Sequence, residues 1–205
     1  MTDDLGLRER KKQRTRAAIV AAATRLFDAR GYDETTVADI AAAAEISPRT
    51  FFSYFPSKED VLFADMEARI DIARDVIAAR RPDDRPVDAL LRAVAQVTAS
   101  GAFADDFGGR TGSLRLKLVM SAPAVQAGAL RRLVAAQDAM AESLRSAYAD
   151  ELDETAAAAT AGVVCGAMIA TAMASLRRGD DLDRMRSEMR RGVEIAVRGI
   201  AAPPP

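Results

Sequence analysis

Four consecutive residues, Ser47-Pro48-Arg49-Thr50, carry the side chains best suited to acting on another molecule. Ser47 is an N-cap candidate, and Pro48 suits the first helical position because its fixed φ is already helical. Arg49 and Thr50 then fall in the first turn of a short helix, the end that a major-groove reader presents to base edges. There a guanidinium can fork onto a guanine, and a threonine can meet a thymine methyl or a phosphate. Aromatics follow directly. Phe51 and Phe55 lie four apart and are expected to face a core, which leaves Phe52, Tyr54 and Lys58 toward a phosphate backbone. This chemistry is recognition by hydrogen bond and charge, with no covalent step.

A second group supports the first. Residues 7–16, LRERKKQRTR, set Arg8, Arg10, Lys11, Lys12, Arg14 and Arg16 against one acid, Glu9. The net charge of the whole chain is -1, so this is a local concentration and not a basic bias. Such a run can be a solvated terminus, or it can lie along phosphates and supply the salt-dependent part of an affinity. Its position beside the stretch of short helices at 35–60 favours the second reading.

These side chains need short helices with defined starts. Thr36 can cap one helix, with Asp39 three residues on as the reciprocal partner, and Val37, Ile40, Ala41 and Ala44 then share one face. Ser57 is a third cap candidate, paired with Asp60. Two short helices, a tight turn and a third helix start make a helix-turn-helix. The competing reading is a plain helical hairpin whose aromatics only fill a core.

From about residue 10 to residue 65 the chain resembles the TetR family of bacterial transcriptional regulators. The resemblance is carried by TRAAIVAAATRLFDARGYDETTVADIAAAAEISPRTFFSYFPSKEDVL, nearly the whole family signature. Ala22, Leu26, Phe27 and Gly31-Tyr32 resemble the first helix and its exit. Thr35-Thr36-Val37 and Ile40-Ala41 resemble the second helix, and Ser47, Thr50, Phe51, Tyr54-Phe55 and Ser57-Lys58-Glu59 the recognition helix and its exit. The resemblance implies that Thr36, Arg49, Thr50, Tyr54 and Lys58 touch DNA. Two residues depart from the pattern. Glu45 stands at the turn position usually held by glycine, where a positive φ would be strained. Phe52 stands where the family often has a phosphate-contacting tyrosine, so Tyr54 is expected to take over part of that contact.

Composition bounds the rest. The 205 residues allow one small and one larger domain, and much of the 49% hydrophobic content is alanine, which favours helix. The fold class expected is all-α: an N-terminal three-helix reader at 1–56, a helical effector-binding and dimerisation domain at 57–200, and a disordered tail at 201–205. No run reaches the ~18 uninterrupted apolar residues of a membrane span, and no signal peptide is visible, so a cytoplasmic protein is expected. A single cysteine, Cys165, gives no intrachain disulfide, and there is no histidine. No nucleophile elbow, phosphate loop or CxxC pair is present. The chain therefore reads as no enzyme, with no metal and no cofactor. The remaining alternative is a helical protein-interaction module without specific DNA binding.

Beyond the reader, periodicity predicts one long helix over 57–80, a break over 80–88 and a helix over 87–99. A loop over 101–112 follows, then helices over 113–120, 124–149, 151–178 and 182–200. The resemblance implies a small-molecule effector in the middle helices. Its lining would be apolar and is expected to include Met66, Ile70, Val94, Phe103, Phe107, Leu116, Met120 and Leu133. The RTFFSYFPSKED variant is similar to a subgroup with acyl-CoA-like ligands. Small residues recur along one stripe at Ala158, Gly162, Gly166 and Ala170, which suits intrachain packing or close approach of a second chain. The resemblance implies a homodimer through the last two helices, with Met173, Met189 and Val193 as further contacts. Two recognition helices ~34 Å apart would then meet a palindromic operator.

Overall fold

The computed structural model describes residues 2–81, 83–101, 103 and 109–199. Among these residues there are nine α-helices and no strand. They are α1 (Thr2–Arg30), α2 (Val37–Ala43), α3 (Pro48–Phe52), α4 (Met66–Ala78), α5 (Pro86–Ala99), α6 (Gly109–Ser121), α7 (Pro123–Ala147), α8 (Glu154–Arg178) and α9 (Leu182–Arg198). The 201–205 tail lies outside the described residues. Two compact units divide the chain. One comprises Met1–Ala64 with Lys117–Gly128, the other Asp65–Leu116 with Ala129–Pro205.

In the first unit the basic run is not a separate arm. It is the first half of α1, helical and continuous with the stretch that packs inward. Ile19, Ala22, Ala23 and Phe27 are buried on that helix, at the 3–4 residue spacing of one face. Ile40 and Ala41 of α2 and Phe51 and Phe55 around α3 are buried as well, and α2 packs on both α1 and α3. Phe51 and Phe55 therefore face the core as their spacing requires.

The helix expected over 57–80 is two elements. A 3-10 turn spans Glu59–Phe63, and α4 begins only at Met66. Val61, Leu62, Phe63 and Ala64 are buried in succession. An α-helix buries one face, so four consecutive inward residues need a tighter, wrapped turn. Ser57 does not cap a helix here; its hydroxyl donates to the Asp60 side chain at 2.6 Å.

In the second unit, α4 and α5 pair, and α8 and α9 form the most extensive helix pair. One apolar cluster joins Ile77, Leu90, Val94, Leu144, Tyr148, Ala161, Val164 and Val193. A second joins Phe103, Ala172, Met185 and Met189. Asp153 and Asp181 cap α8 and α9, and Gly179 ends α8 at φ 74 in the left-handed region. The loop expected over 101–112 is corrected: every described residue in that stretch (101, 103 and 109–112) is helical, the last four in α6. The α8 helix is long and apolar enough to cross a membrane by length and composition alone. Scattered threonines interrupt it, which is why no uninterrupted run was visible in the sequence.

Candidate nucleic-acid interface

Local chemistry sets both short helices of the first unit. The Thr36 hydroxyl accepts the Asp39 amide at 3.1 Å, and Asp39 accepts the Thr36 amide at 2.9 Å, a complete capping box. These bonds to Thr36 hold the Asp39 carboxyl below its usual range. The chain then turns through Glu45, the one non-glycine residue with positive φ among those described, at 55°. The Ile46 amide reaches back to the Ala41 carbonyl at 2.9 Å and closes the end of α2. The expected strain at Glu45 is therefore present.

One residue further on, Ser47 accepts the Thr50 amide at 3.1 Å and starts α3, with Pro48 at its first position. The Ser47 and Thr50 hydroxyls also bond each other at 2.8 Å. Phe51 is fully buried, and this anchor turns Ser47, Pro48, Arg49 and Phe52 outward, all exposed. Thr50 and Tyr54 are half-buried, and Thr36 and Arg14 are exposed. The nine residues expected to meet DNA thus share one unit, and the bases-reading candidate Arg49 stands at the start of a rigidly capped helix.

Lys58 is placed differently from the sequence expectation. Its ammonium donates to the carbonyls of Tyr32 at 2.7 Å and Thr35 at 3.0 Å, and it lies 4.1 Å from the centre of the Tyr32 ring. Two of its three donors therefore serve the turn between α1 and α2, and one is left for a phosphate. Arg16 likewise points inward. It donates to the Ala64 carbonyl at 2.5 Å and lies over the Phe55 ring at 4.5 Å. Tyr32 completes this support by donating to Glu59 at 3.1 Å, and burial followed by the Glu59 charge pushes its phenol far above its ordinary value. By sequence Arg16 belongs to the basic run over 7–16 and Tyr32 only to the exit of the first helix. Their partners stand 27–48 residues away, and no spacing rule reaches that far.

The effector candidates separate. Ile70 and Val94 belong to the larger apolar cluster and Phe103 to the smaller one. Met66, Leu116 and Leu133 are half-buried, Met120 is 61% exposed, and Phe107 lies outside the described residues. A side chain as exposed as Met120 is not part of an enclosed lining. Two arginines are buried instead, Arg69 on α4 and Arg115 on α6.

The dimer candidates also divide. Ala158, Gly166 and Ala170 are exposed along α8 and Gly162 and Met173 are half-buried, with Val163 and Ile169 exposed beside them. A Cβ added at Gly162 or Gly166 would meet nothing within 4 Å. Met189 and Val193 are corrected: they are 3% and 0% exposed within this chain. Their side of α9 packs on α8, so the apolar residue α9 leaves outside is Ile195.

Residues 19–64 match the family described as bacterial regulatory proteins, tetR family. The HTH-type transcriptional regulator TcmR of Streptomyces glaucescens is 34% identical over 152 residues, which cover 73% of this chain and 67% of TcmR. The regulator EthR of Mycolicibacterium smegmatis is 50% identical over 48 residues, 23% of this chain and 22% of EthR. Among solved structures, the chain is similar to Thermus thermophilus FadR, a TetR-family transcriptional repressor in complex with lauroyl-CoA. That similarity has a TM-score of 0.58 at 23% identity, over 93% of this chain and 97% of FadR. The fatty acid degradation regulator FadR of Bacillus halodurans gives 0.55 at 19%, over 91% and 96%. At these identities the two structures bear on the fold.

Proposed function

The chain belongs to the TetR family and is a DNA-binding transcriptional regulator, and from that premise we propose that it is a repressor that binds a palindromic operator as a homodimer and is released by a small apolar or acyl-type effector. In this reading residues 1–56 are the reader, 57–200 bind the effector and the second protomer, and the protein works in the cytoplasm. The observation that carries the reading is the start of α3. Arg49 stands exposed in the first turn, held by the Ser47 cap and the buried Phe51 beneath it. Arg49 reads guanine, Thr36, Ser47, Thr50 and Tyr54 position the helix on phosphates, and Arg14 adds charge along the backbone.

The assembly reading rests on α8. Its open glycines and exposed Val163 and Ile169 leave an apolar surface that a second copy covers. The effector reading rests on an apolar second unit containing two buried arginines, a combination suited to an acyl chain with an anionic head. The bound lauroyl-CoA of Thermus thermophilus FadR gives that reading its chemical class. Effector binding lowers operator affinity only by favouring a conformation that the operator disfavours.

The test is a genome-fragment selection with purified protein, then a mobility shift at two salt concentrations with and without medium- and long-chain acyl-CoAs. A palindrome with half-sites about one helical turn apart, released by an acyl-CoA, is the expected result. Diffuse, sequence-independent binding would overturn the operator reading. Operator binding unmoved by any acyl-CoA would overturn the effector class.

A further inference from the structure

Phe52 is a large apolar side chain left outside on the reading helix. Its neighbours Phe51 and Phe55 are 0% and 2% exposed, whereas Phe52 is 56% exposed. Its ring and that of Phe51 form a T-shaped pair, with centroids 5.5 Å apart and planes at 88°. That contact ties the ring to the core while more than half of the residue stays exposed. A phenyl group has no hydrogen bond to give a phosphate or a base edge. The apolar group that B-form DNA offers in the major groove is the C5-methyl of thymine.

Two further observations place the contact. Arg49 precedes Phe52 by three residues, so the two exposed side chains lie on one face of α3. Thr50, which also carries a methyl, is half-buried, and its hydroxyl is engaged by Ser47 at 2.8 Å. Phe52 is therefore the more available apolar group beside Arg49.

We infer that Phe52 is a specificity-determining residue: its ring packs on the C5-methyl of one thymine per half-site, adjacent to the base pair read by Arg49. This rests on the DNA-reading function proposed above. The ring excludes water from that methyl, and the same position discriminates against cytosine, which lacks it.

The experiment uses the full-length protein and its selected operator, with each thymine in turn replaced by dU, which removes only the methyl. At one thymine per half-site the wild type is expected to lose about fourfold in affinity, the equivalent of one buried methyl. Phe52→Ala is expected to bind the thymine operator more weakly and to be indifferent to dU at that position. Phe52→Leu should keep part of the discrimination, with circular dichroism matching the wild type for both variants. Wild-type binding that tolerates dU at every thymine would overturn the inference, as would a Phe52→Ala protein that keeps the full preference for thymine. A wild type that fails to distinguish its selected sequence from a scrambled duplex would overturn the DNA-reading proposal together with it.

Discussion

Gly192 is a position where one added carbon meets strong resistance. It is buried on α9, and a Cβ there would stand 2.2 Å from Thr171 Cγ2, 3.1 Å from its Oγ1 and 3.2 Å from its Cβ. Carbon pairs at ease sit ~3.5–4.0 Å apart, so the helices must separate by more than an ångström or Thr171 must turn. Turning is costly, because the Thr171 hydroxyl donates to the Ala167 carbonyl at 2.7 Å. Overpacking of this kind costs ~1–3 kcal/mol, and a contact this short belongs at the upper end. Replacing glycine by alanine in a helix returns ~1 kcal/mol. The net expectation for Gly192→Ala is a loss of about 2 kcal/mol, read as a lower urea midpoint at fixed protein concentration. Adding Thr171→Ala removes the two nearest atoms, so the double variant should recover more than half of that loss. Gly192→Ala as stable as the wild type would refute the packing argument, and so would a double variant no more stable than the single one.

Four other outcomes are expected. Arg49→Ala should cost ~1–3 kcal/mol of operator affinity and relax preference at one base pair, measured by mobility shift on single-base operator variants; equal loss on every sequence would remove Arg49 from base reading. Glu45→Gly should raise the thermal midpoint of unfolding by the equivalent of about 1 kcal/mol, because glycine accepts the left-handed conformation without strain, and an unchanged or lower midpoint would count against it. If the proposed homodimer packs on α8, Gly166→Leu should leave helicity intact while shifting sedimentation toward monomer, since the site is open within this chain; an unaltered dimer would move the interface elsewhere. Asp39 and Asp180 are both held below the usual carboxylate range, by Thr36 and by Ser175 with Arg178. Groups depressed on folding contribute stability above their unfolded value and lose it as pH falls through the folded one. With no histidine in the chain, the melting temperature should hold steady from about pH 8 to 5 and drop below about pH 4; a first drop near neutrality would contradict this.

Legibility followed distance along the chain. The Thr36–Asp39 box, the Ser47 cap with Pro48 and the inward Phe51 and Phe55 were all readable, because each depends on residues within four of itself. The strained turn at Glu45 was readable because a side chain occupies a place that demands glycine. The inward partners of Lys58, Arg16 and Tyr32 were not readable, because they stand 23–48 residues away. Met189 and Val193 show a different limit. Helical periodicity says which residues share a face, but it is silent on whether that face meets its own chain or another. The 3-10 turn at Glu59–Phe63 was hidden for a related reason: a buried run of four apolar residues fits a helix start until the core around it is known.

The recognition helix α3 is only five residues long. An isolated helix of that length does not persist in water. It exists because Ser47 caps it and Phe51 is sunk into the core below. Its amide protons therefore have no private route to exchange. The Phe51 and Phe55 amides, bonded to the Ser47 and Phe51 carbonyls, should exchange with solvent only when the whole N-terminal unit opens, at the rate of its most protected amides on α1. The same dependence runs in reverse. An operator duplex that grips α3 holds the entire unit closed, so hydrogen exchange in α1, far along the chain from any base contact, should slow in proportion to operator occupancy.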